Sequence, residues 1–499
     1  MKAEVVVIGG GIGGLTVAAL LAARGVDVCL LERESSVGGC AATFDKFGYS
    51  FEHGYGLYGL WEPDEVHHRV FAELPVDPPE VHPLDPSYVV RLPDESEISI
   101  SGNAISFEDD LKRVFPECAE QAISFYRELG PISAAYRQIL KKNPDFLEAA
   151  RPRKSFPFLT GRRETAQILR ASQQTTLAQL EGTSLRFRRF IDVQLQALGQ
   201  ATSAQVSYLY AALVLSASRG GMFGIRGGAS MLASNLADSV KQSGGRIRLD
   251  TPVLRLSYNS RGDATGVDLM TGETVTASRA IVSNLTIWDT YGKLVSLNRT
   301  PTEVRQQLKS MRGWGAYLLF LGWDEAAASE SGSDHVLALS DWQDGANYDP
   351  ENCQLFFCAA PGWDPRAPEG KRAVTVHTFT DVDDWFTFHT DETELEEQDR
   401  LRLESCWKRL HLAMPELGNR IEVIDTATPR GFYEQTRRKL GMVGGLPPTT
   451  DCLRQDRPSY VTSLPNLFVI SDTLTPGGIS GLTYAAASLA NALTGSYKK

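Results

Sequence analysis

Residues 5–14 read Val-Val-Val-Ile-Gly-Gly-Gly-Ile-Gly-Gly, and the stretch that follows up to Arg24 is rich in alanine and leucine. The apolar start predicts a short buried parallel strand, and the alanine-rich stretch predicts a helix. Between them, Gly9, Gly11 and Gly14 satisfy the pattern G-x-G-x-x-G. These glycines permit a tight turn, close approach of a pyrophosphate and close helix–strand packing. The sequence therefore predicts a dinucleotide site at the start of this helix.

Two further features near the N-terminus suit the same ligand. A second predicted strand, residues 26–31, is followed directly by Glu32, 18 residues after Gly14. A carboxylate at this place can accept hydrogen bonds from the hydroxyl groups of a ribose. Gly38 and Gly39 then form a turn whose backbone N–H groups can reach the phosphates from the other side.

A second glycine-rich segment lies near the other end of the sequence. Residues 467–470 predict an apolar strand, and Asp472 follows it. The run 475–481, Thr-Pro-Gly-Gly-Ile-Ser-Gly, then precedes a helix predicted over 482–493. The N-terminus of a helix stabilises negative charge. Asp472 can bind a ligand hydroxyl or, as the structural alternative, can cap a turn.

A third segment lies between these two. Residues 226–232, Arg-Gly-Gly-Ala-Ser-Met-Leu, precede a predicted helix, and a strand that contains Val253 and the apolar run 280–284 follow. These three segments, taken in their order along the chain, resemble those of the flavoprotein superfamily that includes amine oxidases and carotenoid desaturases. In that superfamily an arginine usually follows the Gly-Gly doublet, whereas this chain has Cys40.

The resemblance implies that FAD is the cofactor. It implies an α/β fold (α+β overall), with a Rossmann-like FAD-binding domain and an interleaved substrate domain of mixed sheet plus a helical part. Asp472 would bind a ribityl hydroxyl, and the backbone of Val253 would meet the adenine. The residues expected to bind the cofactor are Gly9, Gly11, Ile12, Gly13, Gly14, Glu32, Arg33, Gly38, Gly39, Val253, Asp472, Gly478, Ile479 and Ser480.

The FAD-binding domain is expected to be discontinuous, because the blocks between its segments are too long for loops. It would comprise residues 1–105, 220–285 and 455–499. Residues 106–219 carry apolar positions at helical spacing and are expected to form a helical substrate or membrane-facing region. Residues 286–454 mix predicted strands with helices and are expected to form a second substrate domain of mixed sheet and helix.

Residues in the middle of the chain indicate which branch of the superfamily the sequence resembles. Residues 314–322, Trp-Gly-Ala-Tyr-Leu-Leu-Phe-Leu-Gly, and residues 357–370 are similar to the phytoene desaturase and carotenoid isomerase branch. This implies an FAD-dependent oxidoreductase that desaturates or isomerises a lipophilic polyene, such as a carotenoid, by hydride transfer to flavin N5. It also implies a long apolar tunnel, because positioning supplies most of the catalysis.

Three alternatives stay open. The first is a flavin amine or amino-acid oxidase, although amine oxidases of the superfamily commonly place a lysine near the flavin and the predicted strand 316–321 has none. The second is a retinol-saturase-like reductase, which would saturate rather than desaturate. The third is a non-catalytic FAD-binding or chaperone protein.

The candidate catalytic residues lie in residues 51–59, Phe-Glu-His-Gly-Tyr-Gly-Leu-Tyr-Gly. In the family this loop passes close to the flavin ring. His53 is a candidate acid–base group because imidazole titrates near neutral pH. The alternative is a hydrogen-bonded structural histidine. Tyr55 is the second candidate and can shape the site or hydrogen-bond a substrate oxygen.

Composition excludes several classes of protein. The chain has 499 residues, of which 42% are hydrophobic and 22% charged, so it is globular rather than disordered or coiled coil. Its net charge of -11 predicts no nucleic-acid partner. Seven scattered cysteines without metal-ligand spacing predict a reducing compartment and no metal site. With no secretory signal and no run of about 18 apolar residues, the expected location is cytoplasmic, with peripheral membrane attachment left open.

Two basic stretches with interleaved aromatic residues are candidates for contact with an anionic bilayer. Residues 151–163 read Arg-Pro-Arg-Lys-Ser-Phe-Pro-Phe-Leu-Thr-Gly-Arg-Arg, and residues 185–190 read Leu-Arg-Phe-Arg-Arg-Phe. A docking surface of this kind would let the protein draw a lipophilic substrate from the membrane. The alternative is a solvated loop and a helix whose aromatic side chains point inward.

Overall fold

The computed structural model describes residues 1–142, 162–310, 312–330, 332–343, 348–386, 392–445, 447–450 and 460–495. The strands are β1 Lys2–Ile8, β2 Val28–Leu31, β3 Thr43–Lys46, β4 Tyr49–Glu52, β5 Val81–Pro83, β6 Tyr88–Arg91, β7 Glu97–Ile100, β8 Phe223–Ile225, β9 Arg246–Arg248, β10 Val253–Tyr258, β11 Ala264–Leu269, β12 Thr274–Ser283, β13 Gly315–Asp324, β14 His335–Leu339, β15 Gln354–Ala359, β16 Lys371–Thr380, β17 Ile421–Ala427 and β18 Leu467–Val469. The helices are α1 Ile12–Ala23, α2 Val66–Phe71, α3 Ala104–Val114, α4 Ala119–Lys142, α5 Arg162–Gln173, α6 Leu185–Gly199, α7 Tyr208–Gly220, α8 Ala229–Gln242, α9 Ile287–Asp289, α10 Thr302–Ser310, α11 Glu325–Glu330, α12 Pro350–Cys353, α13 Glu392–Ala413, α14 Pro429–Thr436 and α15 Gly478–Thr494.

The N-terminal strand lies inside a seven-stranded sheet with the order β10-β11-β12-β1-β2-β9, and β18 pairs with β12. The pairings of β1 with β2 and of β12 with β1 and β18 are parallel. Val5 and Val7 enter the core formed with α1, α8 and α15, while Val6 and Ile8 enter a second core on the other face. Because both faces are covered, the strand reads as a continuous apolar run, as in other buried parallel sheets. The predicted α/β fold is confirmed.

A second seven-stranded sheet has the order β17-β13-β16-β15-β14-β6-β7. All of its pairings are antiparallel except that of β14 with β6. Strands β6 and β7 come from the block 1–105, which was predicted to belong wholly to the FAD-binding domain. That block therefore contributes strands to both sheets, and the pairing of Val89 with Val336 favours a boundary before residue 88.

Helices α3 to α7 occupy much of the described part of residues 106–219. Within α6, Phe187 and Phe190 are fully buried, and Arg189 forms an ion pair with Asp192 at 3.2 Å. Residues 185–190 therefore turn their aromatic side chains inward and do not expose them as a bilayer contact would require. Most of the other predicted contact, residues 151–161, lies outside the described residues. In the described part of the chain, no helix is both long enough and apolar enough to span a bilayer.

A buried charge cluster joins the strand β4 to α8 and to the loop between β15 and β16. Glu52 at the end of β4 accepts a hydrogen bond from the N–H of Ala229 at 2.8 Å. Its other carboxylate oxygen lies 2.8 Å from the guanidinium of Arg366, which also contacts Asp364 at 2.8 Å. The side chains of Arg366 and Glu52 are 10% and 9% exposed, so water screens their interaction little.

We expect Arg366→Met to destabilise the fold strongly. The substitution leaves two carboxylates, Glu52 and Asp364, buried without their cation, and the loss of one partner of a buried pair costs about 3–5 kcal/mol. A shift of the urea unfolding midpoint to lower denaturant concentration measures the effect. Lys112→Met, which breaks an exposed ion pair with Asp109 on α3, is the matched control. Equal midpoints for the two variants would contradict the expectation.

Candidate functional site

The first glycine loop provides no side chain that caps the N-terminus of α1, so the first N–H groups of the helix are open to a ligand. The helix begins after Gly11, whose position offers no side-chain cap to the first N–H groups. A Cβ atom at Gly14 would lie 2.3 Å from the carbonyl oxygen of Gly9, and one at Gly13 would lie 2.7 Å from Ile470. A larger residue at either position would therefore force a shift of its surroundings. The open N–H groups and the positive end of the helix dipole form an anion site of the kind that a pyrophosphate occupies.

The second glycine turn packs against the first. The N–H of Gly38 donates to the carbonyl oxygen of Gly10 at 2.8 Å, and Gly38 forms a parallel bridge with Gly11. The carboxylate of Glu32 accepts the N–H of Gly10 with one oxygen and the N–H of Glu34 with the other. Glu32 is thereby held at the carboxyl end of β2, with lone pairs left for a ribose.

Val253 and Arg33, both predicted to bind the cofactor, lie close to Glu32. The N–H of Thr251 donates to the carbonyl oxygen of Glu32 at 2.8 Å, so Val253, two residues later, lies near the same edge of the sheet. The guanidinium of Arg33 is directed to the carboxylate of Glu34 and to the carbonyl oxygen of Gln435. A contact between Arg33 and the cofactor therefore stays a prediction.

Asp472 is held by an arginine that sequence reasoning missed. Its two carboxylate oxygens accept hydrogen bonds from Nη1 of Arg438 at 3.1 and 2.9 Å. Other N–H groups of Arg438 donate to the carbonyl oxygens of Met442 and Gly444, and the guanidinium also contacts the thiol of Cys40. Burial alone would lower the pKa of Arg438, but the Asp472 carboxylate keeps it above its ordinary value. A buried cation thus lies beside the cysteine that replaces the expected arginine.

The N-terminus of α15 is also open. Gly477 precedes the helix with φ of 98° and no side-chain cap, and a Cβ atom at Gly478 would meet nothing within 4 Å. Ser480 in the first turn donates to the carbonyl oxygen of Gly59 at 2.9 Å and lies 3.2 Å from Nε2 of His67. These contacts fix the loop after residue 58 against the start of α15.

Asp472 and the start of α15 border a cavity of about 520 Å³. Residues 53–60 form another part of its wall, and side chains of α4, α7, β15 and β16 contribute further parts. Much of this lining is apolar or aromatic, as in Leu140, Leu209, Leu213, Met222, Phe356 and Phe379. Among the residues that the structure describes, no lysine lines the cavity.

Two histidines belong to the described lining of the cavity. Nδ1 of His53 lies 3.2 Å from the carbonyl oxygen of Ala42. A carbonyl oxygen only accepts, so Nδ1 carries the proton and Nε2 is left as an acceptor. His377 on β16 is hydrogen-bonded to the backbone of Gly54, and its buried Nε2 has no partner among the described residues. Burial lowers the pKa of His53 and lowers that of His377 to about 3, so both rings are neutral at pH 7.

Tyr55, the second predicted catalytic residue, packs against the side chains of β15 and β16. Its ring centroid lies 4.7 Å from that of Phe356 and 4.7 Å from that of His377. Burial raises the pKa of Tyr55 above its ordinary value, so the hydroxyl stays protonated. The structure places Tyr55 in the cavity wall beside His377, and a catalytic role for it stays a prediction.

The sequence matches the family model described as flavin containing amine oxidoreductase over residues 12–488. The chain belongs to this family. FAD is therefore its cofactor, as predicted. The two uncapped helix N-termini, the glycine positions without room for a Cβ and the carboxylates of Glu32 and Asp472 suit the phosphates and hydroxyl groups of a dinucleotide, which these residues would hold.

Relatives of this chain include enzymes named for polyenes. Prolycopene isomerase of Daucus carota is 25% identical over 500 residues, which cover 98% of this chain and 79% of that protein. All-trans-retinol 13,14-reductase of Danio rerio is 26% identical over 466 residues, which cover 85% of this chain and 74% of that protein.

Two solved structures share the fold. A redesigned putrescine oxidase is 13% identical with a TM-score of 0.65, and the match covers 99% of both chains. An oxidoreductase from Methanosarcina mazei is 16% identical with a TM-score of 0.61, and the match covers 98% of this chain and 99% of that one.

We expect Arg438→Met to weaken FAD binding. Without the guanidinium, Asp472 loses the two hydrogen bonds that orient it toward the predicted ribityl contact, and the backbone of Met442 and Gly444 loses its donor. The FAD-to-protein ratio after dialysis, measured on protein with wild-type circular dichroism, should fall well below that of the wild type. Arg437→Met, at the exposed neighbouring position, should keep the wild-type ratio. Full retention of FAD by the Arg438 variant would show that this arginine does not hold the site.

Buried neutral histidines should make the fold less stable in acid. Burial lowers the pKa of His377 and of His67 to about 3, whereas histidines of the unfolded chain have pKa values of about 6.5. As the pH falls below about 6.5, the unfolded chain gains protons that the folded chain does not bind. The free energy of unfolding should then decrease by up to about 1.4 kcal/mol per pH unit for each such histidine.

Urea titrations of the holoprotein between about pH 7 and about pH 5 measure this slope. His377→Phe should make the decline shallower, and His68→Asn, at an exposed position on α2, is the matched control. A slope that is identical in the wild type and in the His377 variant would refute the assignment of this histidine.

Proposed function

We propose that the chain is an FAD-dependent enzyme that desaturates or isomerises a lipophilic polyene such as a carotenoid. The observation that supports this most directly is the apolar cavity of about 520 Å³ beside Asp472 and α15. Its volume lies in the range of small-molecule sites, and its hydrocarbon lining suits a substrate with few polar groups. The names of the relatives, prolycopene isomerase and all-trans-retinol 13,14-reductase, point to the same substrate class.

FAD supplies the hydride acceptor, at its N5 atom. In desaturation the chain's own residues then have two tasks, which are to position the polyene and to take up the proton that leaves the carbon next to the one that gives up the hydride. His53 suits the second task, because its Nδ1–H is committed to Ala42 and the residue lines the cavity with a neutral ring. The apolar walls perform the first task, since they hold the chain of the substrate and exclude water.

An amine is the weaker candidate substrate. Asp472 is the only carboxylate in the described lining of the cavity, and Arg438 already neutralises it. Arg137, a cation, also lines the cavity. A protonated amine that moved from water into the cavity would therefore find no free carboxylate there to compensate its charge.

Anaerobic mixing of the purified holoprotein with a polyene panel and with an amine panel tests the proposal. We expect loss of oxidised-flavin absorbance, or a change in double-bond geometry seen by chromatography, with at least one polyene and with no amine. Bleaching by amines together with no conversion of any polyene would overturn it.

In the same assay, His53→Gln should slow polyene conversion by about a hundredfold or more, the usual range for loss of a general base. The variant should keep its FAD, because the ring of His53 is hydrogen-bonded to the carbonyl of Ala42 and not to the glycine loops. His82→Gln is the matched control, since His82 pairs with Glu80 at the protein surface. Undiminished conversion by the His53 variant would leave this residue with a structural role.

A further inference from the structure

A cluster of charged side chains borders the apolar cavity where α4 approaches the loop after residue 60. The cluster comprises Glu62, Glu65, Arg69, Arg137 and Lys141. Three of these residues are cations and two are carboxylates, so the cluster carries one positive charge in excess. Arg137 is the member of this cluster that lines the cavity.

The carboxylates of the cluster lie too far from Arg137 to satisfy the hydrogen-bond donors of its guanidinium. Its Nη1 lies 3.8 Å from Glu62 and 4.0 Å from Glu65, and no hydrogen bond of Arg137 is found within the described part of the chain. Glu65 is already engaged by Lys141 at 2.8 Å. The side chain of Arg137 is only 22% exposed, so water compensates its charge incompletely. Its planar guanidinium thus retains donors that match the two oxygens of a carboxylate.

Tyr484 joins this cluster to α15, because its hydroxyl donates to the carboxylate of Glu65 at 3.5 Å and accepts from Arg69. Its hydroxyl lies 3.3 Å from Nη2 of Arg69, and the residue borders the cavity. Burial raises the pKa of Tyr484 to about 12, so the hydroxyl stays protonated at pH 7. Tyr484 comes six residues after Gly478, which corresponds to about 9 Å along the axis of α15.

We propose that Arg137 binds a carboxylate at one end of the substrate, so that the cavity takes a polyene acid in preference to a neutral polyene. The inference rests on the proposed function, because it assigns an end group to the same substrate. A monoanion matches the single excess charge of the cluster, whereas a diphosphate would bring more negative charge than the cluster can balance.

Binding of three matched probes to the FAD-loaded protein tests the inference. The probes are all-trans-retinoic acid, its methyl ester and retinol, and binding is followed by the quenching of tryptophan fluorescence. We expect the wild type to bind the acid at least about tenfold more tightly than the ester, which corresponds to about 1.4 kcal/mol. Arg137→Met should abolish this preference by weakening the binding of the acid alone, and Arg137→Lys should retain part of it.

Arg127→Met is the matched control, and it should keep the wild-type preference. Arg127 lies on the same helix, but it pairs with Glu108 on the protein surface and does not line the cavity. FAD content and circular dichroism show that each variant is folded, and Arg137→Lys provides the measurement if the methionine variant does not fold.

The outcomes separate this inference from the proposed function. Equal binding of the acid and the ester by the wild type, or a preference that survives in Arg137→Met, overturns the carboxylate site and leaves the polyene cavity in place. Binding of the methyl ester and retinol without binding of the acid likewise overturns the carboxylate site and leaves the polyene cavity in place. Failure of all three probes to bind overturns both, because the cavity would then not hold a polyene.

Discussion

Parallel pairing of three strands that are far apart in the sequence brings together the segments predicted to bind the cofactor. Ile8 of β1 lies beside Ser283 of β12, which in turn lies beside Val469 of β18. Parallel strands end at the same edge of a sheet, so the glycine loop after β1 and the segment after β18 meet there. Asn284 joins the two, because its side-chain N–H donates to the carbonyl oxygen of Ile470 at 2.7 Å. The place of Asp472, the start of α15 and the cavity beside them all depend on this pairing.

Charge is distributed around the cavity in a way that suits chemistry on an apolar chain. The histidines that line it, His53 and His377, are kept neutral by burial. The carboxylate of Asp472 is neutralised by Arg438. Arg137 is the exception, since its nearest carboxylates lie 3.8 Å or more away. Binding in such a cavity is governed by desolvation of hydrocarbon over most of the surface and by an electrostatic contact at one point.

The features that could be predicted from the sequence are those built from neighbouring residues. The strand, glycine turn and helix of residues 5–24 form a local unit, and the family match supports the FAD cofactor that this pattern indicated. Arg438 and His377 reach the site only through tertiary packing, and each is a single polar residue without a repeated pattern. The one sequence feature that pointed to Arg438 was Cys40, which stands where the family usually has an arginine and so indicated that another residue supplies the cation. The parallel pairing of β6 with β14 joins strands more than two hundred residues apart, and neither strand carries a local signal for its partner.

The late position of β18 has a consequence for biosynthesis. The ribosome makes β1 and the first glycine loop long before residues 467–469, and until these emerge the sheet lacks one of its strands. In that interval residues 281–283 of β12 have unpaired backbone groups on the side that β18 later covers. A chain that stalls before β18 and α15 therefore exposes a sheet edge on which chaperones or other nascent chains can act.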